Sequence, residues 1–353
     1  MNQILKATNS LRAGLVVLAG ISIFGGSAST QAASIASPVS IVQISFAGGG
    51  KRDFVSTPFV RAEEASGTIA SVGTTTTLTL TDKGSVNYTT GQFTAGSAIQ
   101  DNKYILEVLD GRYIGLVAYI RSNSGNTFTI DEVSLPTDGL LVGSKYAIRK
   151  DWTIESLFGV ASSTSPIAAG GSAASGDNIN VWSQKTQSYT TFYNRLSSGT
   201  YSWRDALNNP ANHFRIPYGQ GVQVLRRASG NGTLTLSGDL RTARLRRDLL
   251  NNKTGLIANL SPSPTTLLDL NVGIDRADST AGSVVRVWNP STQQWTAYYR
   301  RRSDGRFTDG FNIGGIAAVE RTSIGAGKVV QVVNRSGADR LGATAITADP
   351  RLP

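Results

Sequence analysis

One aromatic phrase occurs twice in this chain, and the two copies start 106 residues apart. The first is VWSQKTQSYTTFYNR, over Val181–Arg195, and the second is VWNPSTQQWTAYYRR, over Val287–Arg301. In each copy, two runs that alternate apolar and polar residues flank a polar loop, and the second loop contains an asparagine–proline pair, a common turn start. The phrase therefore predicts a β-hairpin in both places.

The similarity extends beyond the hairpins and predicts two homologous modules. Short matching blocks lie before the phrase, at a slightly larger offset, and after it, at the same offset as the phrase itself. A longer Ser/Ala/Gly segment in the first copy accounts for the change of offset, because surface loops tolerate insertions. The matched positions are Thr153 with Thr266, Leu157 with Leu270, Gly219 with Gly325, and Gly221 with Gly327.

Period-two alternation is common in the rest of the chain as well. TTLTLTD near Thr76, NTFTIDEV near Asn126 and GTLTLSGDL from Gly232 all exchange apolar and polar residues, as half-buried strands do. The predicted fold class is all-β, with antiparallel sandwich-like or barrel-like domains of which the C-terminal two are a tandem duplication. The predicted divisions are an N-terminal β domain at 34–145, a first module at 146–240, a basic connector at 241–255, a second module at 256–340 and a C-terminal tail at 341–353.

Two short stretches are candidates for helix. WTIESLFG begins at Trp152, and RTARLRRDLLNN begins at Arg241, where a basic loop with one helical turn is the alternative. In a helical connector, Arg241, Arg244 and Arg247 lie three residues apart along one side. We expect this stripe of cations to be exposed and to bind envelope polyanions weakly and in a salt-sensitive way.

The segment 1–32 has the organisation of a secretory signal peptide. Lys6 and Arg12 precede a short apolar run that ends near Phe24, and small residues follow up to Ala32. The run is too short to span a bilayer comfortably, so a membrane anchor is the less favoured interpretation. We expect a mature chain from about Ala33 that is secreted, periplasmic or at the cell surface, without a transmembrane segment. The chain contains no Cys, so apolar cores rather than disulfides have to hold its domains together.

Charge is distributed unevenly between the two parts of the mature chain. Residues 34–145 contain 8 Lys and Arg against 10 Asp and Glu, whereas residues 146–353 contain 24 against 14. The C-terminal part is therefore basic, and basic surfaces attract polyanions such as acidic envelope polysaccharide. An ordinary solubilising surface is the alternative. No dedicated nucleic-acid-binding module is recognisable, so specific nucleic-acid recognition is not expected.

The chain lacks the residue types that the usual catalytic sites require. His213 is the single histidine, which disfavours a catalytic triad and a histidine-rich zinc site, and the lack of Cys removes thiol chemistry. The glycine-rich segment Phe46–Asp53 lacks the residues that a phosphate loop requires. Two facing carboxylates, as in glycoside hydrolases, stay an open alternative without distinctive candidates. No cofactor is expected, and the chain is predicted not to be an enzyme.

The order of the blocks DFVSTPFVR, SGTIASV, YILEVLDGRYIG, DWTIESLFG, YTTFYNR and IPYGQGVQVLRR resembles an uncharacterised secreted β-rich bacterial family. Its members carry a signal peptide followed by the same sequence of β-rich blocks. The resemblance covers most of the mature chain, and the motifs that carry it are structural. It implies a secreted β-rich protein, and it brings no activity and no functional residues with it.

The duplicated aromatic residues are the candidate ligand contacts. Trp182 and Tyr193 in the first copy correspond to Trp288 and Tyr299 in the second. Aromatic residues occupy both faces of each returning strand, so one face packs against the core while the other covers a second layer or stands exposed. Since tryptophan is usually well buried, we expect Trp182 and Trp288 to be mostly buried at equivalent positions.

The leading functional hypothesis is a non-catalytic exported protein of the bacterial cell envelope or extracellular matrix, in a structural or adhesive role. Its expected partners are envelope polysaccharide or another polyanion, bound weakly, and further copies of itself. The alternative is a carbohydrate-binding protein whose duplicated aromatic hairpins stack on sugar rings and gain avidity. A polysaccharide-active enzyme is the third hypothesis.

Overall fold

Strands make up 50% of the structure and helix 3%, so the predicted all-β class is confirmed. The computed structural model describes residues 39–82, 87–94, 103–131, 134–240, 245–250, 252–270, 272, 274, 276–277, 282–301, 303–309, 319–335 and 340–346. The predicted signal peptide, residues 1–32, lies outside the described residues. In chain order the elements are β1 (Val39–Phe46), β2 (Lys51–Val55), β3 (Phe59–Val60), β4 (Glu63–Thr74), β5 (Thr77–Asp82), β6 (Tyr104–Val108), β7 (Val117–Ser124), β8 (Thr127–Asp131), β9 (Lys145–Lys150), α1 (Ile154–Phe158), β10 (Asn178–Ser183), β11 (Ser188–Ser197), β12 (Thr200–Asp205), β13 (Val222–Arg226), β14 (Gly232–Leu240), β15 (Leu245–Leu249), β16 (Thr254–Ala258), β17 (Thr265–Thr266), β18 (Arg276–Ala277), β19 (Val284–Asn289), β20 (Gln294–Arg301), β21 (Phe307–Thr308), β22 (Ser323–Ile324), β23 (Val329–Val333) and β24 (Arg340–Ile346).

Six strands close into a barrel, in the order β4-β5-β8-β7-β6-β9. The alternation in β5 explains its place in the barrel wall, because Leu78 and Leu80 are buried while Thr79 between them is only half-buried. Phe128 and Tyr146 are fully buried among these leucines. Closure leaves the barrel without an open sheet edge, so its strands offer no backbone for pairing with another chain.

The first open sheet has the strand order β12-β11-β10-β13-β2. Its strand β2 precedes the barrel in the chain, whereas the other four strands follow the barrel, so the barrel is inserted into the sequence of this sheet. The short helix α1 follows the barrel and confirms the predicted helix at Trp152. Thr153 and Ser156 form a capping box at its start, which satisfies the free backbone N–H groups there.

The second open sheet has the order β16-β23-β19-β20-β18, with β21 also pairing with β20. Both predicted hairpins are confirmed, as β10–β11 and β19–β20, and they have the same register. Trp182 lies opposite Tyr189 in the first, and Trp288 lies opposite Trp295 in the second. In both sheets the first strand of the hairpin also pairs with a strand that comes after the hairpin in the chain, β13 or β23. That strand pairs in turn with a strand that comes before the hairpin in the chain, β2 or β16. This shared order fits a duplication, and the tandem duplication itself stays a prediction.

A third sheet has the order β1-β14-β3. Strand β1 pairs with β14 along its whole length, from Val39 opposite Asp239 to Phe46 opposite Gly232. Strands β1, β2 and β3 lie in the range predicted as the N-terminal domain, yet they pair with β13 and β14 from the range predicted as the first module. The apolar side chains of β1 and of α1 belong to one hydrophobic cluster, so this sheet shares its core with the first open sheet.

The helical interpretation of the basic connector is wrong for Leu245–Leu249. These residues form β15, which pairs antiparallel with β24. Leu245 and Leu249 are both buried, but they enter two different hydrophobic clusters, and this tertiary packing overrides the local helix preference. Strand β24 begins at the end of the predicted second module and occupies the first part of the predicted C-terminal tail, whereas residues 347–353 lie outside the described residues.

Candidate functional site

In each copy of the duplicated segment, the tryptophan donates a hydrogen bond to the strand of the other sheet that comes first in the chain. The indole N–H of Trp182, in the first sheet, donates to the carbonyl of Thr254 in β16 at 2.7 Å. The indole N–H of Trp288, in the second sheet, donates to the carbonyl of Arg52 in β2 at 3.1 Å. Arg52 lies opposite Leu225 and Thr254 lies opposite Val333, so the two acceptors occupy the same place in their sheets. We call this reciprocal arrangement the paired clasp.

A glutamine in each hairpin loop completes the paired clasp. The side-chain amide of Gln187 donates to the carbonyl of Thr254 at 3.1 Å and accepts from its backbone N–H at 2.9 Å. Gln293 does the same with Arg52, at 3.0 and 2.7 Å. Both glutamines have positive φ, 55° and 57°, at the loop position that turns the side chain towards the neighbouring strand. A primary amide thus replaces the missing neighbour strand, and the outer edges of β2 and β16 are covered at these residues.

Backbone contacts between the sheets follow the same reciprocal rule. The N–H of Ser56, just after β2, donates to the carbonyl of Gly327 at 2.7 Å, and the N–H of Ala258, at the end of β16, donates to that of Gly219 at 3.0 Å. Gly219 and Gly327 both have positive φ, 71° and 63°, which glycine adopts readily. The sequence match paired Gly219 with Gly325, whereas the structure makes Gly219 equivalent to Gly327. The sequence alignment was therefore shifted in this part of the chain.

At the centre of the paired clasp, equivalent positions of the two sheets meet each other. Gly221 precedes β13 and Val329 begins β23, and the shared register makes them counterparts. A Cβ atom added at Gly221 would lie 2.0 Å from Cγ2 of Val329, which is far inside van der Waals contact. The space between the two positions therefore has room for one side chain only. Valine occupies it from position 329, so position 221 has to be a glycine.

The aromatic packing around the two halves of the paired clasp is unequal. Phe54 of β2 contacts both Trp288 and Trp295, with ring centroids 5.3 and 4.6 Å apart. On the other side Trp182 contacts Tyr189 at 4.8 Å, and Tyr189 is 38% exposed. Burial raises the pKa of the Tyr189 phenol, and the Arg52 cation opposes that rise.

An ion pair adds to the contact between the sheets. The ammonium of Lys328 lies 2.5 Å from a carboxylate oxygen of Asp53, which is almost completely buried. The equivalent position in the first sheet is Gln220, whose amide donates to the carbonyl of Trp182 at 2.5 Å. Lys328 therefore links the second sheet to the first, whereas Gln220 bonds to a strand of its own sheet.

The structure places two of the predicted ligand contacts in the paired clasp and the others outside it. Trp182 and Trp288 occupy equivalent positions in the paired clasp, and most of the surface of each is buried against a cluster that contains Phe54 and Val329. Tyr193 is buried and Tyr299 is half-buried, and neither makes a hydrogen bond of the paired clasp. Arg247 lies in β15, while Arg241 and Arg244 lie outside the described residues, so a helical stripe through Arg247 is not formed.

The sequence contained a signal for the glutamines that its interpretation missed. Gln187 and Gln293 occupy the same position of the duplicated loop, at the same offset as the tryptophans. Thr186 and Thr292 in the same loop also match, so the repetition pointed to the loop rather than to the glutamines alone. Arg52 and Thr254 gave no such signal, because they contribute only backbone atoms.

Within the part of the chain that the structure describes, no group of three or more His, Asp and Glu side chains is placed to hold a metal ion. No helix among the described residues has the length and apolar character needed to cross a membrane.

Removing either glutamine is expected to weaken the protein to a similar degree, because each makes the same two bonds to a strand. We expect Gln187→Ala and Gln293→Ala each to lower the free energy of unfolding by about 1–2 kcal/mol. Urea unfolding followed by tryptophan fluorescence measures this. Gln294→Ala is the matched control, since Gln294 is the exposed neighbour of Gln293. A loss as large for the control as for Gln293→Ala would remove the special role of the clasp glutamines.

No protein-family model matches this chain, and no curated protein or solved structure matches it at a significant level.

Proposed function

We propose that this protein is a non-catalytic, exported scaffold of the bacterial cell envelope or extracellular matrix. The observation that carries the proposal is the paired clasp. The residues that occur twice in the sequence direct their indole N–H and amide groups to the backbone of the opposite sheet. Their polar groups are used inside the molecule, and their effect is to join two sheets into one body.

The attachment of the barrel supports the same role. The segments that lead into and out of the barrel both lie beside one sheet. A hydrogen bond joins these two segments, from the indole N–H of Trp152 to the carbonyl of Phe59 at 3.3 Å. Next to them, Arg215 pairs with the fully buried Asp151 at 2.5 Å. The backbone N–H of Tyr218 donates to the hydroxyl of Tyr119, a barrel residue, at 3.1 Å. These contacts hold the barrel firmly against the sheets, as a module presented by a scaffold requires.

The export part of the proposal is supported by the amino-terminal sequence pattern. A basic start, a short apolar run and small residues up to Ala32 are typical of a signal peptide. Weak, salt-sensitive attachment to envelope polyanions is proposed for the basic C-terminal part, since its excess of Lys and Arg favours anionic polymers.

The test uses the purified mature chain, from about Ala33. We expect no release of reducing ends from a panel of neutral and acidic polysaccharides, and a single cooperative thermal transition that includes both open sheets. Calorimetry and tryptophan fluorescence follow the transition. Turnover of any polysaccharide would overturn the non-catalytic role, and separate melting of the two sheets would overturn the paired clasp as the element that unites them.

Carbohydrate binding is the second candidate function, and one observation favours it. Tyr189 is 38% exposed beside Trp182, so an aromatic ring with a hydroxyl is accessible at this half of the paired clasp only. Aromatic faces of this kind stack on sugar rings. A glycan array with wild type and Tyr189→Ala decides between the candidates: selective binding that the substitution abolishes supports the carbohydrate-binding role.

A further inference from the structure

Two arginines are neighbours on one face of the hairpin formed by β11 and β12. Arg204 lies opposite Tyr193, and Arg195 lies opposite Ser202, so the two arginines are diagonal neighbours on adjacent strands. The alternation of side chains along each strand puts both arginines on the same face. The opposite face of the hairpin, which carries Trp203, packs into the hydrophobic core. The arginine pair therefore lies on the face that points away from this core.

The guanidinium groups of the pair bond to neutral oxygen atoms. Arg204 donates from Nε to the hydroxyl of Ser202 at 3.1 Å and from Nη1 to the carbonyl of Asn208 at 3.2 Å. Arg195 donates from Nη2 to the hydroxyl of Ser197 at 3.4 Å. Because Ser202 lies opposite Arg195, its bond to Arg204 draws the second guanidinium towards the first. Among the described residues, most of the N–H donors of both groups therefore stay available for a ligand.

No carboxylate of the described residues forms an ion pair with either arginine. Asp205 is the next residue after Arg204, but alternation puts its side chain on the opposite face. Its carboxylate accepts from the backbone N–H groups of Leu207 and Asn209, at 2.9 and 2.7 Å. Both arginines are half-buried, whereas Tyr193 on their face is buried. This part of the surface therefore combines two accessible positive charges with no negative charge to balance them.

The second open sheet neutralises the arginine that corresponds to Arg195. Arg301 occupies the same place at the end of the repeated phrase, and its guanidinium pairs with the carboxylate of Asp304. The residue 106 positions before Asp304 is Ser198, so the first hairpin lacks this acid. The first sheet therefore leaves uncompensated a charge that the second sheet compensates.

The second arginine of the pair also has no counterpart in the second sheet. Arg204 lies opposite Tyr193 in the first hairpin, whereas Thr308 lies opposite Tyr299 in the second. Like charges on neighbouring strands repel each other, so an uncompensated pair of cations destabilises the sheet that carries it. Since the second sheet forms without such a pair, the fold itself does not require one, and a bound anion explains why the first sheet has it.

We propose that Arg195 and Arg204, together called the arginine corner, bind a carboxylate group of an acidic polysaccharide built from uronic acid residues. The inference rests on the proposed attachment to envelope polyanions and gives that attachment a site. Charge complementarity requires an anion, and a planar guanidinium matches the two oxygen atoms of a carboxylate. Two lone cations without an acid nearby gain most from such a partner.

The surroundings of the arginine corner favour a sugar polymer over a nucleic acid. The hydroxyl groups of Ser197, Thr200 and Ser202 lie on the same face as the two arginines, and hydroxyls both donate to and accept from the hydroxyl groups of a sugar. Single-stranded nucleic acids bind through bases stacked on exposed aromatic rings. Tyr193, the aromatic residue of this face opposite Arg204, is buried and offers no such ring.

Titration calorimetry of the purified mature chain with polygalacturonate and with alginate, at low salt, tests the proposal. We expect binding that fully methyl-esterified polygalacturonate does not show, because the ester removes the charge and keeps the sugar chain. Arg195→Ser combined with Arg204→Ser should raise the dissociation constant by about tenfold or more, since charged hydrogen bonds are lost. An unchanged melting temperature of this double variant shows that it is folded.

Lys185→Ser combined with Arg321→Ser is the matched control. Both residues are exposed and lie in the basic C-terminal part, so this double variant removes the same charge from other places. We expect its dissociation constant to stay within about twofold of that of the wild type, because exposed charges act over a short range. An equal loss of affinity in the two double variants would overturn the arginine corner and leave the general attachment to polyanions standing.

A variant that keeps the charge provides the sharper readout. Arg195→Lys combined with Arg204→Lys retains both cations but removes the planar forks, so we expect it to bind several-fold more weakly than the wild type. Wild-type affinity in this variant would show that net charge alone matters, which overturns the proposal. Tighter binding of polyphosphate than of either uronate polymer would assign the site to a phosphate polymer instead. A wild type that binds neither uronate polymer at low salt would overturn the arginine corner, whereas the non-catalytic role is decided separately by the release of reducing ends.

Discussion

Gly221→Val is expected to lower the free energy of unfolding by about 3 kcal/mol, the upper part of the usual range for overpacking a core. The added side chain begins 2.0 Å from Cγ2 of Val329, which is itself 3% exposed and has no room to move aside. The backbone of Gly221 does not have positive φ, so the loss would come from the contact and not from the backbone conformation. Thermal and urea unfolding of the purified variant measure it.

The reciprocal geometry of the paired clasp provides a sharper version of this test. Because Gly221 and Val329 are counterparts, the double variant Gly221→Val with Val329→Gly exchanges the two residues and restores one valine and one glycine. We expect it to recover most of the lost stability. Gly230→Val is the matched control, since no atom lies within 4 Å of a Cβ built at Gly230. A double variant that is less stable than Gly221→Val would show that a valine at position 221 cannot fill the space that Val329 fills in the wild type.

Asp177→Ala is expected to destabilise the protein by about 3–5 kcal/mol, because it removes one partner of a buried ion pair. The carboxylate of Asp177 is fully buried, and it accepts from the guanidinium of Arg226 at 2.7 Å and from the N–H of Ala168 at 2.8 Å. It also accepts from the N–H groups of Arg227 and Ala228, at 2.7 and 3.1 Å. All of these donors lose a partner in the variant, and the loop before β10 loses its attachment to the end of β13.

Glu64→Ala is the comparison for Asp177→Ala. Glu64 pairs with Lys150 at 3.8 Å, and both side chains are substantially exposed. Exposed ion pairs contribute about 0–1 kcal/mol, so we expect little change in the free energy of unfolding. If the two substitutions had similar effects, Asp177 would not organise the loop in the way its contacts indicate.

The sequence predicted local structure better than it predicted how distant segments meet. The hairpins around Trp182 and Trp288 and the helix after Trp152 follow from alternation and capping, which depend on neighbouring residues. The connector failed because the pairing of β15 with β24 depends on a strand far along the chain, and Leu245 and Leu249 fit either a helix or a strand locally.

The sequence indicated the side chains that donate in the paired clasp, but it did not indicate the carbonyl groups that accept. Duplication marked the tryptophans and placed Gln187 and Gln293 at equivalent positions, but their acceptors are carbonyl groups of Thr254 and Arg52, and any residue type supplies a carbonyl. The edge position of β1 was equally hidden, because the alternation of Val42 and Ile44 predicts one buried face and says nothing about which strands lie alongside.

Insertion of the barrel has a consequence for the order in which the sheets form. In the second sheet Gly255 pairs with Val332, and no barrel lies between them in the chain. In the first sheet Asp53 pairs with Val224, and the whole barrel and the first hairpin lie between them, so the loop to be closed is much longer. A longer loop costs more conformational entropy to close, and pairings between distant segments slow folding. Strand β2 is synthesised early, yet its place beside β13 becomes available only after the whole barrel has followed it. During synthesis, β2 therefore stays without its partner β13 for the time in which the barrel, whose six strands pair with one another, is made.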